Sequence, residues 1–159
     1  MKLLKNVLLV IFGTEASIDA GRYAIMFCKE LNINLHVLYV VDTSTLKELL
    51  MSKIFIEEES KEYEKSLELD GAKYLDLIEE MAISKKQKIN KLLKKGMISA
   101  EILNTVKENK IDLIILGEWQ ESKSRRDLIS MESRYILANS SVSILIVKEQ
   151  DLERKLKKF

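Results

Sequence analysis

Residues 112–148 constrain the fold more than any other stretch of this chain. An apolar run, Asp-Leu-Ile-Ile-Leu-Gly (112–117), opens into a polar, basic loop (118–126). An amphipathic segment then runs to Ala138, and a second apolar run, Ser-Ile-Leu-Ile-Val-Lys (143–148), closes the stretch. Apolar runs of this length on either side of a helix read as strands buried on both faces of a parallel sheet. A buried strand that ends in glycine and opens into a loop before a helix is also the geometry by which open α/β sheets hold anions and nucleotides. The loop after Gly117 holds no further glycine. The architecture therefore points toward a nucleotide site and the residues point away from one.

The rest of the chain repeats the alternation. Val7 to Phe12 is an apolar run ended by Gly13. Ala20, Ala24, Phe27, Cys28 and Leu31 then recur at helical spacing behind the capping residues Thr14 and Ser17. Gly21 inside that helix costs about 1 kcal/mol relative to alanine, which predicts close packing there. Leu35 to Val41 is a second strand, closed by Asp42, Thr43 and Ser44. Residues 43–56 read as a short helix with a connector, or alternatively as a lid or partner-facing segment. A long charged helix follows over 57–85, its inward stripe formed by Leu67, Gly71, Leu75, Ile78 and Ala82. Lys88 to Lys95, between this helix and the turn at Gly96, predicts a strand placed near an edge by its lysines. Ser99 to Asn109 predicts a short helix. The order is β-α-β-α-β-α-β-loop-α-β: one α/β domain over 1–148, a doubly wound, five-stranded parallel sheet with helices on both faces. Residues 149–159 form a charged tail, predicted as a short helix.

Composition narrows the function. Twenty-six Lys and Arg against 25 Asp and Glu leave a net charge of +1, without the basic excess expected of a nucleic-acid binder. No apolar run approaches the length of a membrane span or a secretory leader, so a cytoplasmic protein is expected. One cysteine and one histidine preclude an internal disulfide and leave little for a zinc site.

The carboxyl ends of the strands are where such sheets bind ligands, which directs attention to residues 12–14, 41–43 and 117–131. Phe12 and Gly13 stand where a phospho-accepting receiver would need carboxylates for a cation. Neither a P-loop nor a Gly-x-Gly-x-x-Gly turn is present. His36 lies within a central strand, and is read as a packed, hydrogen-bonded core histidine rather than the base of a triad. Cys28, on the apolar stripe of its helix, is read as an inert buried thiol. With no metal-holding carboxylate cluster or general base at the strand ends, no catalytic residue is assigned.

The order and spacing of these parts resemble the universal stress protein family over residues 3–148. The resemblance rests on Asn-Val-Leu-Leu-Val before the Gly13-Thr14 turn, and on His-Val-Leu-Tyr-Val-Val-Asp (36–42). It rests further on Gly96 with the helix carrying Ile102, on Asp-Leu-Ile-Ile-Leu-Gly, and on Ile136-Leu137, Asn-Ser-Ser and Ser-Ile-Leu-Ile-Val-Lys. It implies an adenine nucleotide α-hydrolase-like fold and a cytoplasmic, mostly homodimeric stress-response protein, of a family in which some members bind ATP or AMP. The nucleotide-binding branch carries Gly-x2-Gly-x9-Gly-Ser/Thr after the fourth strand and Asp at the end of the first. On this chain those positions are Gly117, Gln120, Ser130, Met131 and Phe12. Side chains at the glycine positions obstruct backbone approach to phosphate, methionine offers it no hydroxyl, and phenylalanine cannot hydrogen-bond a ribose. ATP and AMP are thus disfavoured as ligands.

An alternative keeps a weak nucleotide or anion crevice at Gly13, Thr14, Val41 and Gly117. Lys123, Arg125 and Arg126 would serve it beside a helix amino terminus near Ser130. Against it stands a solvated loop partly neutralised by Glu121 and Asp127. Trp119 is expected either to pack back over the crevice or to mark a contact surface. The last strand, with Val142, Ile144, Leu145, Ile146 and Val147, would expose an unpaired backbone at a sheet edge. Antiparallel pairing of two copies predicts a homodimer there; the alternative is that residues 151–159 cover the edge. The protein partner is left unidentified.

Overall fold

The computed structural model of the chain describes residues 1–120 and 128–159. Its elements are β1 (Asn6–Ile11), α1 (Glu15–Leu31), β2 (Asn34–Asp42), α2 (Thr43–Met51), α3 (Glu57–Ser84) and β3 (Ile89–Gly96). They continue with α4 (Ile98–Glu108), β4 (Leu113–Gly117), α5 (Leu128–Asn139), β5 (Ser143–Val147) and α6 (Leu152–Lys158). The five strands form one sheet in the order β3-β2-β1-β4-β5, and every neighbouring pair is parallel. Strand order reverses between β1 and β4, which makes their carboxyl ends the switch point of the sheet.

Alternation along β1 separates the two sides of the core. Val7, Leu9 and Ile11 face a layer that includes Ala24 and Cys28 of α1 and Leu75, Ile78 and Ala82 of α3. Leu8 and Val10 face the other layer, with Ile102 and Val106 of α4 and Ile136 of α5. Period-2 strands between period-3.6 helices produce this three-layer arrangement. At Gly21 a Cβ would sit 2.5 Å from Ile78 Cδ1, so α1 and α3 pack as closely as the glycine predicts. β3 lies at the edge, where Lys91 pairs with Asp76 and Glu79, and Lys94 with Glu108.

Local chemistry fixes the ends of several elements. α1 begins with a reciprocal cap: Ser17 N donates to Thr14 Oγ1 at 3.2 Å, and Thr14 N to Ser17 Oγ at 3.1 Å. Asp42 caps α2, accepting from Thr45 N at 3.0 Å and Thr45 Oγ1 at 2.5 Å. Glu59 reaches back to accept from Ile56 N at 3.3 Å at the start of α3. Asp112 ties β4 to β1 by accepting from the amides of Lys5 and Asn6 at 2.8 and 2.9 Å. Those two amide bonds hold its carboxyl below the usual carboxylate range. The stability this contributes is present above the ordinary carboxylate pKa and is lost as pH falls through the lowered one.

The segment 43–56 is a short helix with a connector. Leu46 is buried, Phe55 packs against Tyr63 with ring centroids 5.8 Å apart, and Ile54 and Ile56 are exposed. The tail carries the short helix expected of it. α6 also contributes Leu152 and Leu156 to the same core layer as α1.

Cys28 is fully buried, and burial pushes its thiol up to about 12. A thiol held protonated and out of solvent is not a nucleophile. The native chain is therefore expected to leave Cys28 unmodified by an aromatic disulfide reagent at mildly alkaline pH, with full reaction only in denaturant. Rapid labelling of the native chain would contradict this.

Candidate functional site

The turn between β1 and α1 is closed on itself. Gly13 has φ of +75°, and its carbonyl accepts from the hydroxyl of Tyr74 on α3 at 3.2 Å. The Tyr74 ring lies so close that a Cβ at Gly13 would meet Cε2 at 3.2 Å. Thr14 spends both its amide and its hydroxyl on the α1 cap, the hydroxyl also donating to Ser17 Oγ at 3.2 Å. Val41 is fully buried among the residues facing α1 and α3. Gly117 meets a different constraint, because a Cβ there would lie 2.5 Å from the carbonyl oxygen of Ala16 and 2.8 Å from Ser17 N. Its lack of a side chain lets the first turn of α1 pack against the end of β4.

Ser130 is the third described residue of α5, in the first turn of the helix as it is described from Leu128. It is fully buried, and its Oγ accepts from Arg134 Nη1 at 3.0 Å. Met131, on the next position, is exposed. Lys123, Arg125 and Arg126, together with Glu121 and Asp127, lie outside the described residues. Trp119 is half-buried and packs against the layer that contains α4 and α5, bordering a recess with Ile146.

A cavity of about 240 Å³ opens at the carboxyl ends of β1 and β2. β1 and the residue after it contribute Val10, Ile11 and Phe12; β2 contributes Tyr39, Val40 and Asp42. The remaining walls are Leu67 of α3, Ile98 at the start of α4, and Leu128 and Ile129 at the start of α5. Among these described residues Asp42 is the one carboxylate, and none is basic. Tyr39 stacks on Tyr74 with centroids 6.1 Å apart. Burial, followed by the charge of Asp70, raises the Tyr39 hydroxyl above its ordinary pKa, so it stays a phenol. Beside the cavity, Ser99 N at the start of α4 donates to Glu132 Oε2 at 2.7 Å. An amide that could have faced an anion is already held by a carboxylate of this chain.

His36 sits near the amino end of β2, at the opposite end of the sheet from the cavity. It is half-buried rather than in the core, but hydrogen-bonded as expected. Its Nδ1 lies 3.0 Å from Asn90 Nδ2 and its Nε2 lies 3.3 Å from Asn6 Oδ1. Asn90 as donor and Asn6 as acceptor place the ring proton on Nε2. Burial lowers the pKa of the ring, consistent with a neutral imidazole. Among the described residues no cluster of His, Cys, Asp or Glu is placed to hold a metal, and no helix is long and apolar enough to cross a membrane.

A model of the universal stress protein family matches residues 4–148. The chain belongs to that family. A universal stress protein of Methanocaldococcus jannaschii is 25% identical over 158 residues, covering 95% of this chain and 86% of the relative. The universal stress protein UspA from Lactobacillus plantarum has the same fold, with TM-score 0.73 at 17% identity over 91% of this chain and 98% of that one. A family protein from Arabidopsis thaliana, solved with AMP bound, superposes with TM-score 0.62 at 13% identity, covering 94% of each chain.

Of the cavity walls, Phe12, Asp42, Leu128 and Ile129 fall within the strand-end segments that the sequence singled out, whereas Tyr39, Val40, Leu67 and Ile98 were missed, because only their convergence at one end of the sheet marks them. Tyr74 was more accessible: it falls on the same face of α3 as Gly71, Leu75 and Ile78, at helical spacing.

Proposed function

We infer that this universal stress protein acts by binding rather than catalysis, as a cytoplasmic, dimeric interaction module that has lost tight ATP binding. The observation that carries the reading is the replacement of the family's nucleotide residues by Phe12, Gln120, Ser130 and Met131. The geometry supports it. The surviving motif residue, Gly117, has a packing reason to be glycine, and the described residues lining the crevice beside Phe12 are apolar apart from Tyr39 and Asp42. Phosphates need donors and positive charge, and none of the described lining residues supplies a basic group.

A second reading is a regulatory switch that holds a nucleotide or another anion through the Gly13, Val41 and Gly117 region and the basic loop. The AMP bound to the Arabidopsis protein favours it. The two readings separate on a reconstructed site. Phe12→Asp combined with Gln120→Gly, Ser130→Gly and Met131→Ser is expected to raise ATP affinity by at least about tenfold over wild type, or about 1.4 kcal/mol, by calorimetry. A correctly folded variant that binds ATP no better than wild type would refute the assignment of lost affinity to these four positions. Thermal shift with phosphate, sulfate and AMP tests the switch directly. A ligand at about a hundred times its Kd should add about 2.7 kcal/mol of stability, and the module reading expects no such shift.

A further inference from the structure

We propose that the crevice at the carboxyl ends of β1 and β2 binds a small organic cation: an apolar, preferably aromatic, body with an ammonium group directed at Asp42. The inference rests on the reading that nucleotide binding has been lost here, and it names what the remaining chemistry can recognise. At about 240 Å³ the cavity exceeds the roughly 150 Å³ that suffices to hold benzene in an engineered apolar site. It also falls below the roughly 300–1,000 Å³ typical of drug-sized ligands. A substituted ring fits that size.

The walls specify the two ends of the ligand. Phe12, Tyr39, Val40, Ile98 and Ile129 offer apolar walls, and two of them are aromatic, a residue type whose ring attracts a cation. Asp42 is half-buried, and its carboxylate is fixed by the Thr45 amide and hydroxyl at 3.0 and 2.5 Å. Two bonds leave acceptor capacity on a group with about four lone-pair sites. An anion would meet this carboxylate with no basic partner among the described lining residues. A neutral body would further desolvate it without compensation. An ammonium would satisfy it by a charge-assisted hydrogen bond.

The test is a titration of the full chain, followed by amide chemical shifts, with 2-phenylethylamine, its neutral isostere 2-phenylethanol, and the anion phenylacetate. The amine is expected to bind at least about tenfold more tightly than the alcohol, phenylacetate more weakly still, with shifts centred on Val10, Val40 and Ile98. Asp42→Asn, which retains a good capping side chain for α2, is expected to abolish the preference for the amine. Leu67→Phe, which fills the cavity from α3, is expected to weaken both amine and alcohol while leaving the melting transition intact, and so provides a second route should Asp42→Asn fold poorly. Equal binding of amine and alcohol, preference for phenylacetate, shifts centred elsewhere, or no binding by any probe up to about 10 mM would overturn the proposal. A parallel ATP titration separates the two claims. If ATP and amine both fail to bind, only the cation site is lost, whereas micromolar ATP binding removes the reading on which it rests.

Discussion

Gly117→Ala is expected to destabilise the chain by about 1–3 kcal/mol, the usual cost of overpacking a well-filled site. The added Cβ would lie 2.5 Å from the Ala16 carbonyl oxygen and 2.6 Å from its carbonyl carbon. These are backbone atoms of a capped helix, so relief requires shifting α1 against β4. Gly21→Ala is the control. There the Cβ meets Ile78 Cδ1, also at 2.5 Å, but a terminal methyl can rotate away, and alanine gains about 1 kcal/mol of helix propensity over glycine. That substitution is expected to be close to neutral. Urea unfolding of the two variants measures the difference. A Gly117→Ala chain as stable as wild type would mean the contact with α1 is not what holds glycine at this position. The distinction matters for function, because a glycine kept for packing is no sign of a working phosphate loop.

The second large effect concerns assembly. β5 is at the edge of the sheet and, among the described residues, pairs with β4 alone. Ile144, Leu145 and Ile146 are half-buried, while Val147 is only 3% exposed within its own protomer. Val147 and Leu145 pack toward the layer of α1 and α6, and Val142 and Ile144 toward that of α4 and α5. The buried leucines of α6 share the layer of α1, and the helix forms no strand on the open edge of β5. Antiparallel pairing of two β5 strands about a two-fold axis would satisfy the open backbone row and bury Ile144 and Ile146. Sedimentation at micromolar concentration is therefore expected to give about twice the 18.4 kDa chain mass. Ile146→Lys, which sets like charges close together across the axis, is expected to shift the species to monomer. Wild-type chain that remains monomeric up to about 100 μM, a concentration at which even a weak interface of about 5.5 kcal/mol would be half-formed, would contradict the dimer.

The elements and their order were legible because each carries its own signal. Thr14 and Ser17 announced the α1 cap, Gly21 the close contact with α3, and the lysines of 88–95 an edge strand. The site was less legible for reasons the particular residues make plain. Period-2 alternation shows which face a strand residue takes, but not how near the strand's end it lies. Val41 therefore read as a crevice residue, although it is buried in the core while Phe12 lines the cavity. Ser130 is fully buried in the first described turn of α5, which its place beside a polar stretch of sequence did not reveal. The tail read as a short charged helix, and its charge gave no sign that Leu152 and Leu156 would join the layer of α1.

Calorimetric titration of the wild-type chain with magnesium ATP tests the loss of nucleotide binding most directly. The substitutions at Phe12, Gln120, Ser130 and Met131, together with the apolar crevice beside them, predict a Kd above about 100 μM, or less than about 5.5 kcal/mol of binding. A micromolar Kd, or ATP carried through purification with the protein, would contradict it.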